Sequence, residues 1–197
     1  MIGAVILAAG TSSRLGEPKQ LLELGGRPLL QHAVDAAMEA GLEEVIVVLG
    51  HAADDVAAAL RLPPGARTVV NPDFESGQAS SLRTGLRELS LECRAAVILL
   101  ADQPGVSYET VRAVADAYRE GAGPIVQTTY EGRQSHPVLL DRQIWPEIEA
   151  LEGDVGAREV LASHPEWVTT LETGGEPPPD VDTWEDYRRL AGEGPDG

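Results

Sequence analysis

Ile2-Gly3-Ala4-Val5-Ile6-Leu7-Ala8-Ala9-Gly10-Thr11-Ser12-Ser13-Arg14-Leu15-Gly16-Glu17-Pro18-Lys19-Gln20 is the stretch from which the fold can be read. Its first seven residues form a short, uninterrupted apolar run, β-prone at Val5 and Ile6, that gives way to Gly10. This is the pattern of a strand buried on both faces of a parallel sheet. The same signature returns at 45–49, 68–70, 96–100 and 125–129. Between these runs, residues 28–39, 53–60, 79–89 and 107–118 carry apolar side chains at helical spacing, with Pro28 and Ser107 suited to helix starts. Alternation of this kind predicts an α/β fold, a mostly parallel sheet flanked by helices.

Beyond the fifth strand the pattern loosens. Residues 135–140 read as an added strand, 141–151 and 154–163 as short helices, and 167–171 as one more strand. Residues 174–180 are Gly, Pro and acid, hence a loop. Thr183-Trp184-Glu185-Asp186 is a capping-box variant opening a last helix to about residue 190. With 197 residues, no internal repeat and no long linker, we expect a single domain over 1–191 and a frayed tail at 192–197.

Composition narrows the function. Thirty-two acidic against fifteen basic residues give a net charge of −17, a field that repels phosphate backbones and anionic lipid. Nucleic-acid and membrane-surface binding are disfavoured, and an anionic substrate needs a local basic patch. The one cysteine, Cys93, forms no intrachain disulfide and no zinc cluster, which fits a reducing cytoplasm. The opening apolar run lacks a basic preamble and is too short for a signal peptide or a membrane span.

The basic patch lies in the opening stretch. A loop of small residues at the carboxyl end of a parallel strand lets backbone N–H groups approach phosphate oxygens, and Arg14 and Lys19 add positive charge. Lys19 is the only lysine beside fourteen arginines. Neither GxGxxG nor Gly-x4-Gly-Lys-Ser/Thr is present, which argues against dehydrogenase and kinase-like loops. Asp102, just past the strand at 96–100, is placed to project from the same edge as a hard oxygen ligand; a turn-forming role before Pro104 is the alternative. Asn71, the chain's only asparagine, offers a donor and an acceptor to a base or ribose, or else a turn before Pro72. Gly77, Ser80 and Ser81 open a helix whose N–H groups could meet a ligand, or serve as plain caps.

The stretch from Leu7 to Leu30 is similar to the signature of nucleotidyltransferases that join a nucleoside monophosphate to a phosphorylated acceptor and release pyrophosphate. Methylerythritol phosphate cytidylyltransferases share this opening. Asn71-Pro72, Gly77-Gln78-Ala79-Ser80-Ser81-Leu82, Leu99-Leu100-Ala101-Asp102-Gln103-Pro104, Ser135-His136-Pro137-Val138, Gly153-Asp154-Val155-Gly156-Ala157-Arg158 and Asp180-Val181-Asp182-Thr183 resemble, in order, the molybdenum cofactor cytidylyltransferases. The resemblance runs from Ile6 to about Tyr187, with Ser135 where many relatives have glycine and Trp184 where the family often has proline.

The resemblance implies a Rossmann-like nucleotidyltransferase sheet and transfer of CMP from CTP to the terminal phosphate of molybdenum-bound molybdopterin. It implies Arg14, Lys19 and Asp102 as catalytic residues. Leu7, Ala8, Ala9, Gly10, Ser13, Asn71, Gly77 and Ser80 are the implied nucleotide-binding residues. Mg2+, with Mn2+ as a substitute, would sit on Asp102 and Asp182, with Asp180 close enough to exchange roles with Asp182. His136 and Arg158 are implied on the acceptor side, and a client molybdoenzyme as recipient of the product. Guanylyltransferase relatives carry LAGG where this chain has Leu7-Ala8-Ala9-Gly10, so the methyl of Ala9 favours CTP over GTP. The competing expectations are transfer of GMP, transfer of CMP to another small phosphorylated acceptor, and a non-catalytic carrier of the molybdenum cofactor.

Overall fold

The computed structural model describes residues 1–12, 14–151, 153 and 156–192. Ser13, Asp154, Val155 and the end of the expected tail lie outside the described residues. The first strand, β1 (Ile2–Ala8), is followed by a loop, a two-residue ladder of β2 (Glu23–Leu24) and β3 (Arg27–Pro28), and helix α1 (Leu29–Glu39). Next come β4 (Glu44–Leu49), α2 (Ala53–Ala59), β5 (Ala66–Val70), α3 (Gln78–Glu88), β6 (Ala95–Leu100) and α4 (Tyr108–Arg119). The second half holds β7 (Ile125–Tyr130), β8 (Arg133–Asp141), α5 (Trp145–Glu149), α6 (Arg158–Ser163), β9 (Val168–Glu172) and α7 (Trp184–Ala191). Among the described residues, no helix is long and apolar enough to cross a membrane.

Seven strands form one sheet in the order β5-β4-β1-β6-β8-β7-β9. All neighbouring pairs are parallel except those of β8, which runs antiparallel to both β6 and β7. Side chains along β1 alternate between the faces of the sheet, as strand geometry requires. Ile2, Ala4, Ile6 and Ala8 join a core with Leu30, Val34 and Ala37 of α1 and Val111 and Val114 of α4. Val5 joins the opposite core with Leu82 and Leu86 of α3 and Ile148 of α5. Burial on both sides explains why β1 reads as an unbroken apolar run. Its two neighbours, β4 and β6, are reached by connections on opposite sides of the chain order, so the strand order reverses at β1. The carboxyl edge there is where open α/β sheets bind ligands.

Two local readings are corrected. Gly25 and Gly26 both take positive φ, +60° and +76°, and make a two-residue turn that pairs Glu23 with Pro28. Helix α1 therefore begins at Leu29, with Pro28 as the flanking residue. Residues 141–151 are not one helix but a 3-10 turn, Arg142–Ile144, followed by α5; Pro146 has no N–H to continue an incoming helix and sits in its first turn. The capping expectations at Ser107 and Thr183 hold, whereas α3 has Gly77 as its flanking residue with no side-chain cap, and Ser80 and Ser81 lie inside the helix. The Ser107 hydroxyl accepts from Thr110 N–H, and Thr183 and Asp186 cap α7 reciprocally.

A third, smaller apolar cluster matters most for the site. Leu15, Leu22, Leu29 and Val181 pack together, with Leu24, Tyr187 and Leu190 against them. Trp184 Nε1 donates to the Leu15 carbonyl at 3.2 Å, and the Tyr187 hydroxyl donates to the Glu23 carbonyl at 2.6 Å. The carboxyl-terminal segment is thereby docked onto the loop that follows β1.

Candidate active site

The loop after β1 is braced from inside by Gln20, which is 1% exposed. Its amide nitrogen donates to the carbonyls of Ala8 at 2.8 Å and Gly10 at 3.1 Å, while its carbonyl accepts from the Ser12 hydroxyl at 3.4 Å. Ser12 in turn accepts from the Lys19 backbone N–H at 3.0 Å. The chain thus closes on itself, and Lys19 starts a 3-10 turn, Lys19–Leu21, at a fixed backbone position. On the neighbouring strand, Ala101 N–H extends the ladder to the Leu7 carbonyl at 3.1 Å, so Asp102 leaves the sheet beside the loop.

The docked tail completes the arrangement. Val181, fully buried, donates its N–H to the Asp102 carbonyl at 2.9 Å and so sets Asp182 next to Asp102. Lys19 Nζ then lies 2.7 Å from Asp102 Oδ2 and 2.7 Å from Asp182 Oδ1. Burial alone would lower the Lys19 pKa, but the Asp102 charge and hydrogen bond, followed by those of Asp182, outweigh it and raise the value. Arg14 is exposed at the rim, with its guanidinium 3.8 Å from Asp182. Two acidic residues 80 positions apart in the chain and the only lysine therefore meet at one point.

Asp102 and Asp182 suit a hard divalent cation. Both carboxylates already converge on one positive charge, and Asp102 Oδ1 is buried with no hydrogen-bond partner, leaving lone pairs for a cation. Among the described residues no group of three or more His, Cys, Asp or Glu could enclose an ion. An ion here takes its remaining ligands from water or substrate oxygens, as Mg2+ does with one or two carboxylates, and carboxylate donors equally suit Mn2+. Asp180 lies close to this pair but makes its hydrogen bond elsewhere. It accepts from Gln103 Nε2 at 2.8 Å, and desolvation, with the charges of Asp102 and Asp182 added, raises its pKa.

A cleft of about 610 Å³ opens beside Lys19 and Asp102. Leu7, Ala8, Ala9 and Gly10 line one wall, and Phe74, Gly77, Gln78 and Ser81 line the other. Asn71 and Ser80 stand behind that second wall. The Asn71 amide nitrogen donates to the hydroxyls of Ser80 at 2.8 Å and Ser81 at 3.0 Å, and its carbonyl accepts from Asp73 N–H at 3.0 Å. Both residues are buried, so they shape the wall while Ser81 faces the cavity. Gly50 is a participant that the sequence analysis missed. A Cβ there would stand 2.7 Å from Phe74 and 2.8 Å from the Ala9 carbonyl, so only glycine lets the end of β4 support both walls. Its position just past a buried strand, on the same edge as Gly10, was the available signal.

A second cleft, of about 720 Å³, adjoins the first and shares Gln78 and Leu100 with it. His136 and Arg158 line it, together with Gln103, Gln127, Gln134 and Asp180. Burial, with Arg158 adding to it and Asp102 opposing it, pushes the His136 imidazole down to about 4, so it is neutral at pH 7. The four glutamines were legible as residues, but no spacing in the chain announced that they would share one cavity.

Comparisons with known proteins show the family to which the chain is similar. Residues 4–168 match the MobA-like NTP transferase domain. The chain is similar to the nicotine blue oxidoreductase of Paenarthrobacter nicotinovorans, 36% identical with 96% of each chain covered. It is also similar to the crystal structure of Rv0371c from Mycobacterium tuberculosis H37Rv, 39% identical, with 97% of both chains covered and a TM-score of 0.89. A structure of Rv0371c in complex with manganese matches at 36% identity and a TM-score of 0.84, over 97% of this chain and 98% of that one.

Proposed function

The chain belongs to the MobA-like NTP transferase family and is a nucleotidyltransferase; on that premise, we propose that it transfers CMP from CTP to the terminal phosphate of molybdenum-bound molybdopterin, forming the cytosine dinucleotide and pyrophosphate. The observation that carries this reading is the meeting of Lys19, Asp102 and Asp182, with Lys19 and Asp102 in the wall of the first cleft and the chain neighbours Gln103 and Asp180 in the wall of the second. One cleft suits a nucleotide and the other its acceptor. Ala9 lines the first, where its methyl occupies space that a glycine would leave to the larger guanine. The amide-rich second cleft offers donors and acceptors to a pterin ring, and Arg158 at its edge offers a planar fork to the acceptor phosphate.

In the proposed reaction an oxygen of the acceptor phosphate attacks the α-phosphorus in line. The new P–O bond forms as the bond from the α-phosphorus to the bridging oxygen breaks, and the electron pair leaves with pyrophosphate. A phosphate monoester is largely ionised at pH 7, so no strong base is required. Lys19 and Arg14 stabilise the charge that grows on the leaving group. The braced loop presents backbone groups to the triphosphate, and Gln20 keeps them from shifting as it binds. Neutral His136 adds no charge beside the acceptor and exchanges one hydrogen bond with it. Mg2+, or the Mn2+ held by the Mycobacterium relative, would be bound by Asp102 and Asp182 and supply charge neutralisation across the phosphates.

The test is to incubate the protein with each of the four NTPs and molybdenum-loaded molybdopterin, measuring pyrophosphate and dinucleotide product. CTP should give both products, and Asp102→Ala should abolish them without loss of fold by circular dichroism. Product from GTP alone would replace cytidylyl with guanylyl transfer. Pterin retention with no NTP turnover would make the protein a carrier.

A further inference from the structure

Lys19 Nζ stands where the carboxylates of Asp102 and Asp182 converge, 2.7 Å from each. A divalent ion held by the same two groups needs that place, since Mg2+ sits about 2.0–2.1 Å from its oxygen ligands. An ammonium and a dication cannot share two carboxylates at such range without strong mutual repulsion. Arg14, 3.8 Å from Asp182, adds a second positive charge, so the two acids already face two bases. The Lys19 backbone, by contrast, is anchored through Ser12, and its side chain lines the first cleft alongside Gly10 and Thr11. Rotation of one side chain about a fixed backbone is enough to carry the ammonium from the carboxylates to an anion in that cleft.

Resting on the triphosphate reading of this cleft, we infer that Lys19 is a tethered competitor for the metal position, so that the site binds a divalent ion weakly until a triphosphate draws the ammonium away. The coupling is reciprocal: a triphosphate strengthens ion binding by the same factor as the ion strengthens triphosphate binding. Before substrate arrives, the ammonium also keeps two carboxylates together that would otherwise repel each other. A single residue then serves as placeholder in the resting protein and as phosphate ligand in the loaded one.

Mn2+ binding to the full chain, read by water-proton relaxation enhancement, tests this, because an ion slowed by tumbling with the protein relaxes water protons more strongly than a free ion does. Without added phosphate, Lys19→Met should bind Mn2+ at least about tenfold more tightly than the unmodified protein. Inorganic tripolyphosphate should strengthen Mn2+ binding markedly in the unmodified protein and much less in the variant. Asp102→Asn added to Lys19→Met should erase the gain, placing it at this site. Lys19→Gln provides the same comparison if the methionine variant does not fold. Equal Mn2+ affinity in variant and unmodified protein, or a gain that survives Asp102→Asn, would overturn the competitor role alone. Tripolyphosphate that binds neither protein would overturn the triphosphate reading together with it.

Discussion

His136 shows at the residue scale how environment decides what a side chain can do. In an unfolded chain its imidazole takes up a proton near pH 6.5. In the folded protein burial and Arg158 hold it neutral down to about 4, against the opposing charge of Asp102. Between these values the unfolded chain carries the extra proton, so stability is complete above pH 6.5 and is lost as pH falls towards 4. His136→Asn should therefore flatten the fall in urea midpoint between pH 7 and pH 4.5. An unchanged slope would show that other groups carry the acid sensitivity. Gln20 is a contrasting case. It was visible in the Pro18-Lys19-Gln20 stretch, yet nothing in its local sequence said that its amide would turn inward to two carbonyls of the loop.

At the scale of elements, α3 lies closer to the sheet than an ordinary side chain permits. A Cβ added at Gly85 would stand 2.3 Å from Val5 Cγ1 and 2.9 Å from Val48 Cγ2, both in strand interiors. This close approach brings the start of α3, with Gly77 and Ser81, up to the first cleft. Gly85→Ala should force helix and sheet apart at a cost of about 1–3 kcal/mol, measured as a lowered thermal midpoint. It should also weaken nucleotide binding, because the wall moves with the helix. Full stability in that variant would mean the contact can relax locally. The strands and larger helices were legible from periodicity because each has a face, or both faces, in the core. The β2–β3 ladder and the break before α5 were not, since they depend on two glycines at positive φ and on one proline.

For the molecule as a whole, the site depends on a chain end returning to its beginning. Val181 lies in a cluster with Leu15, Leu22 and Leu29, and this packing brings Asp182 to Lys19 across 163 positions. Val181→Ala should cost about 1–3 kcal/mol through the cavity it leaves. Loosening of the docked segment should also weaken Mn2+ binding in the presence of triphosphate, which relaxation measurements would detect. Normal ion binding in a destabilised variant would mean that Asp182 is held by other means. The setting is a chain of net charge −17, so attraction of an anionic substrate falls to the few basic groups gathered at this edge.

The sequence by itself determined the α/β class, the parallel heart of the sheet and the loop that carries Lys19, because burial on both faces and turn chemistry leave local marks in composition and spacing. Only the tertiary structure decided that Asp182 rather than Asp180 faces Lys19, that Asn71 and Ser80 stand behind the cleft wall, and that four glutamines share the second cavity. Those relations are set by packing between segments far apart in the chain, and a side chain's direction there depends on neighbours that no local pattern encodes.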